Sequence, residues 1–153
     1  AIGKGISRNT WESIQTWVGY NLAQIRNASG KVDEVEYFGG VTFAIDENVS
    51  DFNGWLGASY GNYILAKTPG ELDRNHPGGW MFSEGGLFWH EYGHTTDSQI
   101  YGLSYLFTIG ISSAGGADWT EIRANRWAAN YAAKFGFMEK YNWLYPTRYP
   151  LDF

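Results

Sequence analysis

Gly85-Gly86-Leu87-Phe88-Trp89-His90-Glu91-Tyr92-Gly93-His94-Thr95-Thr96-Asp97-Ser98-Gln99-Ile100-Tyr101 is the stretch on which the reading of this chain turns. Its apolar positions Leu87, Phe88, Tyr92 and Ile100 are separated by polar residues on a second face, which predicts a helix from Gly85 to about Tyr101. His90 and His94 stand four apart in it, so their imidazoles project from one face on successive turns and can reach a common point. Glu91 lies beside them, close enough to hold a water on a metal ion bound by the pair. A zinc ion there would bring the pKa of that water toward neutrality, Glu91 would take its proton, and the hydroxide would attack a carbonyl polarised by the ion. Gly93 costs this helix roughly 1 kcal/mol relative to Ala, which predicts close approach of another backbone or of substrate.

Catalytic zinc sites usually take three protein ligands and keep one position for water. The chain has no Cys and only three His, so the remaining donor must be the last His or a carboxylate. The extended pattern that places a third His six residues after the second would need His at position 100, which is Ile. Glu121 is the leading candidate. It opens a second strong helix expected from about Trp119 to Phe135, with Ile122, Trp127, Ala128, Tyr131 and Ala132 as its buried side. Ala124 is small enough to let the two helices approach, and the amide of Asn125, one turn beyond Glu121, can orient His90. Asp118-x-x-Glu121 also fits a capping box, in which Glu121 would serve the helix start and Asp118 becomes the alternative ligand. Asp97, three residues after His94, is a candidate acceptor for the outer nitrogen of that imidazole, or simply a solvated charge. A developing oxyanion calls for a phenol or imidazole, and Tyr92, Tyr101, Tyr105, Tyr131 and His76 are the candidates.

Outside this core, Thr10 to Ala28 is expected to be helical, with Trp11, Ile14, Trp17, Val18, Leu22 and Ile25 packed inward. Val32 to Ile45 alternates as two short strands broken at Gly39-Gly40. Trp55 to Lys67 reads as one strand or a pair, with Gly57 and Gly61-Asn62 marking a bulge or tight turn. The strand around Leu56 to Leu65 is expected at the edge beside the cleft, where an extended peptide can pair with it. Residues 46–53 and the Pro/Gly-rich run 68–79, which holds His76, read as loops, as does the Gly- and Ser-rich stretch ending at Gly116. The expected class is α+β, a small mixed or antiparallel sheet on about three main helices, forming one domain over residues 1–153.

Composition narrows the partners. Eleven Lys and Arg against sixteen Asp and Glu, with no basic run, disfavour nucleic acid, because phosphate neutralisation needs clustered cations. No apolar run is long enough to span a membrane, and no secretory leader is visible. With 18% aromatic residues the chain carries more rings than its core can hold, so some are expected along a cleft. A start at Ala1-Ile2-Gly3, without Met, predicts a piece of something longer.

His90-Glu91-x-x-His94 followed by Glu121-x-x-Ala124-Asn125 resembles the gluzincin metallopeptidases, in particular compact ones in which a Glu-x-x-Ala-Asn/Asp helix supplies the third ligand. The resemblance covers mainly residues 84–135. It implies a zincin-like (mini-gluzincin) fold, one Zn2+ ion on His90, His94 and Glu121, Glu91 as general base, and a peptide or protein substrate. Where thermolysin-like enzymes carry Asp one turn after the Glu ligand, this chain has Asn125. Thr16-Trp17-Val18-Gly19, Tyr37-Phe38-Gly39-Gly40 and the stretch from His90 to Ile111 are similar to C-terminal modules of RHS/YD-repeat proteins from Bacteroidetes-type bacteria. That second resemblance implies a toxin or effector module, secreted or delivered from a bacterial cell within a larger parent chain. Two other readings stay open on the sequence: a non-catalytic zinc-stabilised binding module with an aromatic-lined cleft, and a zinc amidase acting on cell-wall peptides.

Overall fold

The structure is a computed structural model that describes residues 2–47, 57–68, 81, 86–115 and 117–134. In chain order the elements are helices α1 (Ile2–Arg8) and α2 (Ser13–Ala28), strands β1 (Glu34–Phe38), β2 (Val41–Asp46), β3 (Gly57–Tyr60) and β4 (Tyr63–Lys67), and helices α3 (Leu87–Tyr101), α4 (Ile111–Ala114) and α5 (Asp118–Lys134). The fold is α+β with a four-stranded mixed sheet in the order β1-β2-β4-β3, parallel between β2 and β4 and antiparallel at both other pairings. No helix among the described residues is long and apolar enough to cross a membrane.

The expected strand pairs form where the turn chemistry asked for them. Gly39 and Gly40 both take positive φ, 57° and 85°, which suits the two-residue turn pairing Phe38 with Val41. Gly61-Asn62 joins Tyr60 to Tyr63 as a second two-residue turn, so residues 57–67 of the expected run form two strands, while Trp55 and Leu56 lie outside the described residues. β3 lies at the sheet edge and β4 inside it.

Both faces of the central strands are covered, which is why β2 is buried at five successive positions instead of at alternate ones. Phe43, Ile45, Ile64 and Ala66 point to one side and pack with Met81, Phe88, Trp89 and Tyr92 and with Ala128, Ala129 and Ala132 of α5. Ala44 and Leu65 point to the other side, against Ala23 and Leu22 of α2. The sheet is therefore sandwiched between α2 and the α3/α5 pair.

α2 buries its small and polar residues in place of most of the apolar stripe its spacing predicts, of which Leu22 packs on the core. Gln15, Thr16, Gly19 and Ala23 are buried, whereas Trp11, Ile14, Trp17 and Ile25 are exposed, Trp17 at 66%. Close approach is the reason. A Cβ at Gly19 would lie 2.6 Å from the Tyr60 carbonyl oxygen, so the helix rests on the β3–β4 turn by its small residues. The polar members of this face are paired in part: Gln15 Nε2 donates to Ser98 Oγ at 2.6 Å and Ser98 donates to Oε1 of the buried Glu12 at 2.7 Å, while Glu12 Oε2, Gln15 Oε1 and Thr16 Oγ1 have no hydrogen-bond partner among the described residues. Trp11 is anchored through Nε1, which donates to the Gln99 carbonyl at 2.7 Å.

One further expectation is corrected, and one element is new. The helix over Ile2–Arg8 was not visible in the sequence pattern. The stretch expected as a Gly/Ser loop instead coils as a 3-10 turn (Gly102–Ser104), a π-helical turn (Leu106–Gly110) and α4. Its hydroxyls make this possible: Thr108 donates to the Ser104 carbonyl at 2.8 Å and Ser112 to the Thr108 carbonyl at 2.7 Å, so Ser and Thr support the coil instead of competing with it.

Candidate metal centre

α3 and α5 are the most intimately packed pair in the structure, and Gly93 is where they touch. A Cβ at position 93 would lie 2.0 Å from the Ala124 carbonyl oxygen. Only glycine facing the small Ala124 permits this spacing, so the expected close approach is to another backbone.

The contact sets the distance between ligand candidates one turn to either side. His90 Nε2 lies 2.9 Å and His94 Nε2 3.6 Å from the same oxygen, Oε2, of Glu121. The two imidazoles stand edge to face, 4.9 Å between ring centres and 89° between planes. One donor atom from each of His90, His94 and Glu121 lies within 4.8 Å of the others, so the three can hold a metal ion. A tetrahedral sphere with bonds of about 2 Å separates its donors by roughly 3.3 Å, and the two nitrogen–oxygen distances fall on either side of that value. The carboxylate of Glu121 is turned to the imidazoles, and Asp118 is exposed and outside the cluster.

Asn125 supports the centre from behind. Its Oδ1 is 2.9 Å from His90 Nδ1, so the amide oxygen accepts an Nδ1–H and leaves the Nε2 lone pair directed at the cluster. Burial works against a charged His90, yet hydrogen bonds to Glu121 and Asn125 and the negative charge of Glu91 outweigh it, and its pKa lies above the ordinary imidazole value. Glu91 is buried beside the pair. Loss of solvent pushes its pKa up, the neighbouring histidines pull it down, and the net direction is upward.

Asp97 does something other than orient His94. It is fully buried, and its Oδ1 accepts from Arg123 Nη2 at 2.7 Å and from Trp127 Nε1 at 2.9 Å. It therefore clamps α3 to α5, while the buried Nδ1 of His94 has no hydrogen-bond partner among the described residues. Two donors converging on a desolvated carboxylate outcompete an imidazole on its own helix.

The candidate phenols separate by location. Tyr92 is a core residue. Its ring packs edge-on against Phe38, Trp89 and Tyr131, and its hydroxyl reaches the Gly39 carbonyl at the β1–β2 turn, away from the cluster. Tyr131 belongs to the same packing. Tyr101 ends α3 two turns beyond His94, about 10 Å along the axis, under the guanidinium of Arg123. Tyr105 remains. It is buried, hydrogen-bonded to the Ser59 side chain on β3, and its ionisation is pushed up by burial and by the carboxylates of Glu91, Asp97 and Glu121. His76 lies outside the described residues.

One neighbour of the centre escaped the sequence reading. Gly57, taken there as a bulge or turn, opens the edge strand and lies against the Glu91 side chain. Its only sequence signal was a glycine within a strand pattern.

No protein-family model, curated protein or solved structure matches this chain.

Proposed function

We propose that the chain is a zincin-like, gluzincin-type metallopeptidase, hydrolysing peptide bonds with one zinc ion held by His90, His94 and Glu121. The observation that carries this reading is a buried Glu91 on the same helix as His90 and His94, beside a His/His/Glu donor cluster that can hold a metal ion. Nitrogen and oxygen donors without thiolate suit zinc with an open position more than a closed structural site. When bound, zinc supplies Lewis acidity to the carbonyl and lowers the pKa of the attacking water.

The protein's own groups do the rest. Glu91 takes the proton from the attacking water and passes it to the departing amine nitrogen. Its neighbours hold His90 in one tautomer through Asn125 and lock the two ligand helices together through the Asp97–Arg123 pair. Tyr105, hydrogen-bonded to Ser59 and held protonated by burial and by the charges of Glu91 and Glu121, is assigned the hydrogen bond to the substrate oxygen. β3, at the sheet edge and packed on α3, offers a strand alongside which an extended peptide can lie. The likeness to modules of RHS-type proteins adds a delivered toxin or effector role to the proposal.

The test is metal analysis of the purified protein together with cleavage of peptide libraries. Wild type is expected to bind one zinc and cleave; His90→Ala and Glu121→Ala to lose metal and activity; Glu91→Gln to keep the metal and lose nearly all turnover. Full turnover by Glu91→Gln removes Glu91 from the mechanism, and zinc bound by a wild type that cleaves no peptide removes the peptidase reading.

A further inference from the structure

Among the described glycines without a positive φ, three sit where an added Cβ would come closer than 3.0 Å to another atom, and what each one meets differs. At Gly19 and Gly93 an added Cβ runs into backbone, the Tyr60 carbonyl in one case and the Ala124 carbonyl in the other. At Gly57 it runs into the outer part of one side chain: 2.6 Å from Glu91 Oε1, 2.9 Å from Cδ and 2.9 Å from Cγ. The first two glycines hold the fold at its spacing. The third makes room only for the carboxylate of Glu91.

Backbone conformation gives no separate reason for glycine at 57. The positive-φ glycines are Gly30, Gly39, Gly40, Gly61, Gly86 and Gly102, so Gly57 takes a strand conformation open to any residue. Glycine within a strand also weakens it, by entropy and by lost packing. A residue that burdens the edge strand and is not required by its dihedral angles is explained by what lies over it. Glu91 is buried at 6% exposure on α3, with its side chain against Gly57 of β3.

We propose that Gly57 is a positioning residue for the hydrolytic reaction: the bare backbone of β3 is the seat that fixes the Glu91 carboxylate beside the donor cluster. Any side chain at 57 displaces that carboxylate while leaving the His90, His94 and Glu121 donors, which stand on α3 and α5, where they are. This inference rests on the hydrolytic reading given above. A shift of about 1 Å in a base costs on the order of a hundredfold in rate, because proton transfer needs hydrogen-bond distance.

The experiment uses the full chain with Gly57→Ala, Glu91→Gln and the double variant. Gly57→Ala is expected to bind zinc at the wild-type ratio and to lower kcat about a hundredfold, with KM changed no more than about twofold. In the Glu91→Gln background, Gly57→Ala is expected to lower the residual rate no further, because its effect passes through a carboxylate already removed. A crystal structure of Gly57→Ala is expected to show the Glu91 carboxylate moved. Wild-type kcat in Gly57→Ala, a further loss on top of Glu91→Gln, or a Glu91 carboxylate unmoved in the variant each overturns the proposal. If wild type cleaves no peptide, the functional reading falls on that result, and the carboxylate position in the Gly57→Ala structure still decides the role of Gly57.

Discussion

Oδ1 of Asn125 on α5 and Nδ1 of His90 on α3 lie 2.9 Å apart, and this contact ties the tautomer of a ligand on one helix to a neutral amide on the other. A neutral acceptor orients the ring without placing a second formal negative charge behind it. The imidazole is thus made less basic toward a metal than a carboxylate partner would make it.

Asn125→Ala is expected to weaken zinc binding by about 10- to 100-fold, the usual effect of losing such a partner, and Asn125→Asp to restore or tighten it. Competition titration against a chelator of known affinity measures both. Equal affinity in Asn125→Ala and wild type would show that packing alone holds His90.

The protonation behaviour of the centre sets a pH dependence for the metal-free protein. His90 and Glu91 both have folded pKa values above their ordinary values of 6.5 and 4.5, so each binds its proton more tightly folded than unfolded. Their contribution to stability is complete below those ordinary values and is lost as pH rises through the raised ones. Zinc acts in the opposite sense, because it needs His90 deprotonated and binds better as pH rises. Melting temperatures of metal-free and zinc-loaded protein over roughly pH 5 to 8 should therefore diverge with rising pH. In the metal-free protein the fall in melting temperature with rising pH should shrink in His90→Gln, and an undiminished fall there assigns it to other groups.

Two substitutions separate the real core from the apparent one. Gly93→Ala drives a methyl group into the Ala124 carbonyl and is expected to cost about 3 kcal/mol, at the upper end of overpacking, with loss of zinc because the ligand helices are forced apart. Trp17→Ser, on the exposed face of α2, is expected to change stability by no more than about 0.5 kcal/mol. Denaturant unfolding of the two variants gives both numbers, and a loss of several kcal/mol at Trp17 would mean that its face is covered.

The sequence by itself determined the features that local geometry dictates. A period near 3.6 and a four-residue spacing put His90 and His94 on one helical face, and glycines at 39–40 and 61 marked both two-residue turns. Such relations involve neighbours along the chain, and their physics is complete within a few residues. Glu121 was legible as a candidate, but its capping-box alternative could be set aside only when Oε2 came to lie between the two imidazoles. The partners of Asp97, the core role of Tyr92, the outward Trp17 and the seat under Glu91 were decided by the tertiary structure. The outward Trp17 and the donor cluster depend on which small residue lets two backbones meet. Gly19 brings α2 onto a turn and so turns its indoles outward, and Gly93 brings α3 onto α5 and so assembles the donor cluster. Hydrophobic periodicity records which residues are able to be buried, and close approach selects which of them are.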